Sequence, residues 1–346
     1  ERGSPMILTD FHIQAFRGLQ DVTLKDLAPI NVVLGANNAG KTSILEALAL
    51  LLRPLDPAQW IQVARLRDMD IFLEDGLWSL FPSSEPLHAE DSPKQTAPLE
   101  ISGTLQKEQR ILRARGLASL NWDSEASESL MLRIEAKVND LATHTMEFRR
   151  ETPAQFGNGV IFHKCFTVTS ATHRSTRNLV EHLSKVVDMG EKKLALELLQ
   201  LFDPHIEGLD VSAPGGREGV RVSHKKRGVV DLSSFGDGMR RAAALALALV
   251  RSRGGILLVD ELESGIHPQI LPKVLQQLFL AAKTAGTQIV ATTHSLEAMD
   301  MVIEISKTES SNSLAAYYLQ QEGTPLLHRY DLQTLINLRD TGFDVR

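Results

Sequence analysis

Residues Gly35-Ala36-Asn37-Asn38-Ala39-Gly40-Lys41-Thr42 constrain this chain more than any other stretch, because they satisfy the pattern G-x-x-x-x-G-K-[ST] at every fixed position. The spacing makes a phosphate cradle. Glycines let successive backbone N–H groups turn inward, and the N-terminus of the following helix adds its partial positive charge. Asn37, Asn38, Ala39 and Gly40 are then expected to wrap a triphosphate, Lys41 to reach its β- and γ-phosphates, and Thr42 to hold Mg2+, with Ser43 beside it at the helix start. The flanks agree with that order. Pro29–Leu34 reads as a short apolar strand, and Lys41–Leu52 as a helix rich in Ala and Leu.

A second set of polar residues falls where a strand–loop–helix fold would bring it to the same ligand. Leu232 to Gly238 place small, N–H-exposing residues before a helical run from Met239 to Arg251, so Ser234, Gly236 and Asp237 are expected to form a second anion-binding corner. Gly254–Val259 is a continuous apolar strand that ends in Asp260-Glu261. A carboxylate at such a tip suits Mg2+ shared with Thr42, which makes Asp260 the metal acid; the adjacent Glu261 is the candidate base for an attacking water. Thr287–Thr293 is a further β-rich strand, and His294 after it is placed to contact a γ-phosphate.

The rest of the chain is read from periodicity. Met6–Phe16 and Val22–Leu27 alternate apolar and polar residues and are expected to pair as a small antiparallel unit before the P-loop strand. Pro82–Pro98 is polar and proline-rich, a loop; Leu99–Arg115 and Leu130–Arg150 then read as antiparallel ribbons inserted into the main fold. Val160–Ser170 returns the chain to the main sheet as a core strand, and Thr176–Phe202 is helical with a break near Gly190. Gly219–Val230 reads as a hairpin carrying Arg221, His224, Lys225, Lys226 and Arg227, a solvated basic face or a nucleic-acid contact.

Composition narrows the function classes. A net charge of −6 provides no global basic field for nucleic acid or an acidic membrane. Cys165 is alone, which excludes an internal disulfide framework and a cysteine-based zinc site and suits a reducing, cytoplasmic setting. The longest apolar run, Ala242–Val250, is far below the ~20 residues of a membrane span. Glu1–Pro5, ahead of Met6, reads as an expression-vector remnant.

Taken in order, these motifs resemble those of the ATP-binding cassette (ABC) ATPases, and most closely their SMC, RecF and OLD branch. Ser234-Phe235-Gly236-Asp237 looks like the signature motif, Asp260-Glu261 like Walker B, Ser264 to His267 like the D-loop and His294 like the switch histidine. Phe16-Arg17-Gly18 resembles the opening strand entry, which implies a nucleotide contact for Arg17, and Asp340–Arg346 the end of the head. Thr169–Thr172 takes the Q-loop position without a glutamine, and Leu262 stands where a proline often follows the Walker B glutamate.

The resemblance implies an α/β fold. The head, 6–346, would have a mixed central sheet flanked by helices, an antiparallel β insertion over 82–159 and a helical subdomain over 173–205. It also implies ATP and Mg2+ as ligands and a head-to-tail homodimer with each ATP between one P-loop and the partner's signature motif. Such a dimer would control a separate effector protein in phage defence or DNA maintenance. Long heptad arms are absent, no Toprim nuclease is expected before the sequence stops at Arg346, and no membrane partner is expected. A nucleotide-gated switch with negligible turnover is the alternative.

Overall fold

In the computed structural model the P-loop strand, β3 (Ile30–Leu34), lies inside a six-stranded sheet. The order is β16 (Leu326–Asp331), β15 (Leu314–Gln320), β3, β14 (Gln288–Thr292), β13 (Ile256–Val259) and β9 (Cys165–Val168). All neighbours are parallel except β16, which runs antiparallel on one edge. The structure describes residues 6–67, 71–82, 87, 93–122, 128–141, 143–149, 163–213, 218–307, 313–320 and 326–340. Glu1–Pro5, residues 341–346 and much of the Pro82–Pro98 stretch lie outside them.

Parallel strands need cover on both faces, and the side-chain period of two divides this sheet between two cores. Val33, Leu258, Val290 and Tyr317 join one cluster; Val32, Leu34, Leu257, Val259 and Ile289 join the other. On the first face lies α1 (Lys41–Leu52), with Leu48, Leu50, Leu51 and Leu52 all fully buried. It is buried around almost its whole circumference because a second sheet covers its far side. Burying each such leucine contributes roughly 1.5–3 kcal/mol.

That second sheet corrects the expected organisation. The opening strands β1 (Leu8–Phe16) and β2 (Leu19–Leu24) do not stand as a small unit. They continue into β5 (Leu99–Leu105), β6 (Glu108–Trp122), β7 (Glu128–Val138) and β8 (His144–Arg149), with β4 (Lys94–Gln95) pairing β6. The pairings are antiparallel, and β1 joins β5 through Ile13 opposite Ile101. The ribbons are therefore the extension of the opening hairpin, and α1 is clamped between the two sheets. Around its end pack α2 (Pro57–Arg65), capped by Asp56, whose side chain accepts from the Ala58 N–H at 3.0 Å, and α3 (Leu73–Trp78).

The opposite face carries α6 (Asp237–Arg251), α7 (Leu271–Ala285), α8 (Leu296–Ser306) and α9 (Leu332–Asp340). Against α6 rest α4 (Thr176–Asp188) and α5 (Lys192–Gln200), which part at Gly190 with φ 71°, the left-handed geometry that ends a helix. The expected helical subdomain continues into a three-stranded antiparallel sheet: β10 (Ile206–Ser212), β11 (Gly219–His224) and β12 (Gly228–Asp231). The β11–β12 hairpin follows the sequence reading. The strand β10 escaped it because a register shift between Ile206 and Gly208 puts its buried residues, Ile206 and Leu209, three apart. The expected strand Val160–Ser170 is short, Cys165–Val168, and residues 150–162 lie outside the described residues.

Candidate functional site

The C-terminal ends of β3, β14 and β13 converge, which is where open parallel sheets bind ligands. After β3 the chain enters the P-loop with Gly35 at φ 149° and Gly40 at φ 98°, the latter at the N-cap of α1. A side chain is excluded at Gly35, where a Cβ would lie 2.6 Å from the Leu319 carbonyl oxygen. Lys41 folds back across the loop, its Nζ donating to the carbonyls of Gly35 and Ala36 at 2.8 Å each. Burial pulls this ammonium below its ordinary value, opposed by Asp260, Glu263 and Glu261. A cation held by main-chain carbonyls alone, beside exposed Asn37 and Asn38, is suited to an anion.

Thr42 and Asp260 meet as expected from the sequence. Thr42 Oγ1 lies 3.1 Å from each carboxylate oxygen of Asp260, although β14 separates their two strands. The acid strand's tip is held by Thr292 at the end of β14, a residue not among those expected at the site. Its hydroxyl donates to Asp260 Oδ1 at 2.6 Å and accepts the Glu261 N–H at 2.9 Å. Glu261 sits at φ 51°, a left-handed conformation that costs a residue other than glycine about 1 kcal/mol or more, and such strain gathers at functional sites. Hard oxygen donors suit Mg2+, which commonly takes one or two carboxylates with phosphate oxygens. Among the described residues no group of three or more His, Cys, Asp or Glu forms a metal cage, so a metal here would rest on Thr42 and Asp260.

His294 lies two residues past the end of β14 and is half-exposed, its Nδ1 3.2 Å from Glu263 Oε1. Glu263 also accepts the Thr293 hydroxyl at 2.7 Å. The signature corner lies at the start of α6: Ser234, Gly236 and Asp237 are exposed, and Ser234 Oγ donates to the Asp231 carbonyl at 2.7 Å. One turn into that helix is Arg241, fully buried, donating to the carbonyls of Thr169, Asp260 (2.9 Å) and Glu261 (3.2 Å). Burial lowers its guanidinium to about 10. The Q-loop candidate, the acid strand and the signature helix are thus tied by one side chain, which appears in the sequence only as an arginine in an apolar helix.

Arg17 is engaged with protein groups. Its Nε pairs with Glu46 at 2.7 Å and its Nη1 donates to Ser79 Oγ at 2.9 Å. Glu46, completely buried on α1, is shared with Arg67, which also donates to Ser43 Oγ at 2.6 Å. Arg17 braces the P-loop helix, and Arg67 bonds to Ser43 in that helix's first turn. The basic hairpin is also partly committed. His224 pairs with Asp203 at 3.0 Å, Arg221 approaches Asp231 at 3.9 Å, and the Arg227 guanidinium lies 4.6 Å from the centre of the Phe235 ring. Lys225 and Lys226 remain as exposed cations at the turn.

Comparison with known proteins gives the family and the fold. The profile of the family described as "AAA domain, putative AbiEii toxin, Type IV TA system" matches residues 30–300. An ATP/GTP phosphatase of Helicobacter pylori is 19% identical over 93% of this chain and 95% of its own length. An uncharacterised protein of Methanocaldococcus jannaschii is 30% identical over 114 residues, 32% of this chain and 99% of that protein. The crystal structure of an SMC head bound to the C-winged helix domain of ScpA superposes with a TM-score of 0.54 at 12% identity, covering 95% of this chain and 100% of that one. This last likeness concerns the fold, that of an ABC-type ATPase head.

Proposed function

The chain belongs to this AAA-domain family and has the fold of an ABC-type P-loop ATPase head, and from that premise we propose that it is an Mg2+-dependent ATPase working as a nucleotide-sandwiched homodimer. The observation that carries the reading is the meeting of Lys41, Thr42 and Asp260 at one strand-end crevice. Lys41 would exchange its two carbonyl partners for phosphate oxygens, and Thr42 and Asp260 would hold Mg2+, which when bound neutralises phosphate charge. Glu261 would take the proton of the attacking water, and His294 would meet the γ-phosphate. The Helicobacter relative's name, ATP/GTP phosphatase, supports hydrolysis.

The corner Ser234–Asp237, with Ser234, Gly236 and Asp237 exposed, would serve as a second anion site on a separate helix and close on the nucleotide of a partner protomer. ATP would then join two heads and hydrolysis would release them, driving a separate effector in phage defence or DNA maintenance. Mixing two inactive variants tests this arrangement. Lys41→Ala and Ser234→Arg each lose activity alone, and their heterodimer regains one intact composite site, so phosphate release returns in part on mixing. A Ser234→Arg protein that turns over normally as a monomer would refute the shared site. A wild-type protein that dimerises with ATP but releases no phosphate would instead be a nucleotide-gated switch.

A further inference from the structure

Glu263 lies two residues beyond the candidate base, and no role follows for it from the P-loop, metal acid or base. Its side chain is 16% exposed, and what it touches is the start of the segment that carries His294. One oxygen, Oε2, accepts the Thr293 hydroxyl at 2.7 Å. The other, Oε1, lies 3.2 Å from His294 Nδ1 and accepts the His294 main-chain N–H at 3.3 Å. Thr293 Oγ1 in turn accepts the Ser295 N–H at 3.0 Å, at the N-cap of α8. The carboxylate therefore grips both the ring and the backbone of the same histidine. The neighbouring strand ends are already tied by the Leu262 N–H donating to the Thr292 carbonyl at 2.9 Å.

We propose that Glu263 is the positioning residue for His294, fixing the proton on Nδ1 and so leaving Nε2 as the atom offered to the γ-phosphate. A carboxylate can only accept, so the ring nitrogen facing it must carry a proton; a ring so held has one nitrogen left for any other partner. Without Glu263 a half-exposed imidazole would turn about its side-chain bonds and exchange tautomers, and both would have to be fixed anew in each turnover. Glu263 immediately precedes Ser264 to His267, so the histidine's aim is set next to the segment that resembles the D-loop. The inference rests on the reading of His294 as a γ-phosphate contact, and the tautomer assignment does not need turnover.

Two measurements on the full chain test it. In nucleotide-free protein labelled with 15N-histidine, long-range proton–nitrogen correlation at about pH 8 reads the ring protonation directly, with His294 assigned by the signal lost in His294→Ala. The expected result is an Nδ1–H ring in the wild type and a shift toward Nε2–H in Glu263→Ala; an unchanged ring overturns the proposal whether or not the protein hydrolyses ATP. In steady-state hydrolysis, Glu263→Ala should lower kcat by about 10- to 100-fold with KM moved less than about threefold. The isosteric Glu263→Gln, which retains one acceptor oxygen and the packing, should fall between wild type and Ala. The double variant Glu263→Ala/His294→Ala should be no slower than His294→Ala. Equal further losses in the two backgrounds would show that Glu263 acts independently of His294 and overturn the proposal. A wild type without turnover but with a Glu263-dependent Nδ1–H would refute the ATPase reading and support the positioning role.

Discussion

The Arg241 guanidinium, fully buried on α6, donates to the main-chain carbonyl of Asp260 at 2.9 Å. Because the same group also reaches the carbonyls of Thr169 and Glu261, the helix that begins at the signature corner is bonded to the backbone of both neighbouring strand ends. A movement of Ser234–Asp237 would be felt at the acid strand without any side-chain contact between them.

Arg241→Met fills the volume but removes the donor to three carbonyls, of which those of Thr169 and Glu261 keep the Thr172 and Ser264 N–H groups. The Asp260 carbonyl loses its buried donor at a cost of about 1–3 kcal/mol, so the variant should be less stable by roughly that amount, with partial compensation by the apolar chain. Arg241→Lys should recover only part of this, since an ammonium lacks the planar fork that spans several acceptors. Urea unfolding with unchanged slope is the measurement, and equal midpoints for Met and wild type would remove Arg241 as a structural bridge.

Lys41→Ala should abolish measurable ATP binding by calorimetry. The phosphate cradle would lose the side-chain cation that now spans Gly35 and Ala36. Unchanged affinity would place the nucleotide elsewhere.

Glu261→Gln should bind ATP as the wild type does while hydrolysis drops by about 100-fold or more, because the amide keeps the shape but cannot accept a proton from water. Phosphate release at the wild-type rate would eliminate Glu261 as base.

His182 on α4 should make stability depend on acid. Burial, and then the Arg251 charge beside it, lowers its imidazole to about 4, and Arg251 donates to its Nδ1, which requires the neutral ring. The unfolded chain takes up the proton near its ordinary value of about 6.5, so it binds more protons than the folded chain at intermediate pH. Stability should therefore be full above about pH 6.5 and fall as pH drops toward 4, by about 1–3 kcal/mol from this residue. Thermal unfolding of His182→Gln should show a shallower decline across that window; the same slope as wild type would mean that other groups control it.

Lys225→Glu with Lys226→Glu should leave retention on duplex DNA unchanged at physiological salt. Arg221, His224 and Arg227 already face Asp231, Asp203 and Phe235, and two exposed lysines release few counterions. A salt-sensitive, tenfold loss of binding in this variant, to cite the order that two phosphate contacts would produce, would restore the hairpin as a nucleic-acid surface.

What was legible in the sequence was whatever local chemistry dictates. Gly35 and Gly40 mark backbone that only glycine adopts easily, the apolar run Ile256–Val259 marks a strand buried on both faces, and Gly190 marks a helix end. Those signals located the P-loop, the Asp260 tip, its pairing with Thr42 and the α/β fold. Tertiary structure decided what depends on partners distant in the chain. It joined β1 to β5 and so merged the opening hairpin with the ribbons, because edge pairing leaves no periodic mark on either strand. It assigned Arg17 to Glu46, bonded Thr292 to Asp260 and to the Glu261 N–H, and turned Arg241 inward. An arginine or threonine reads the same in sequence whether it faces solvent, phosphate or a buried carbonyl. Its partner is fixed only when packing removes water and leaves one acceptor within reach.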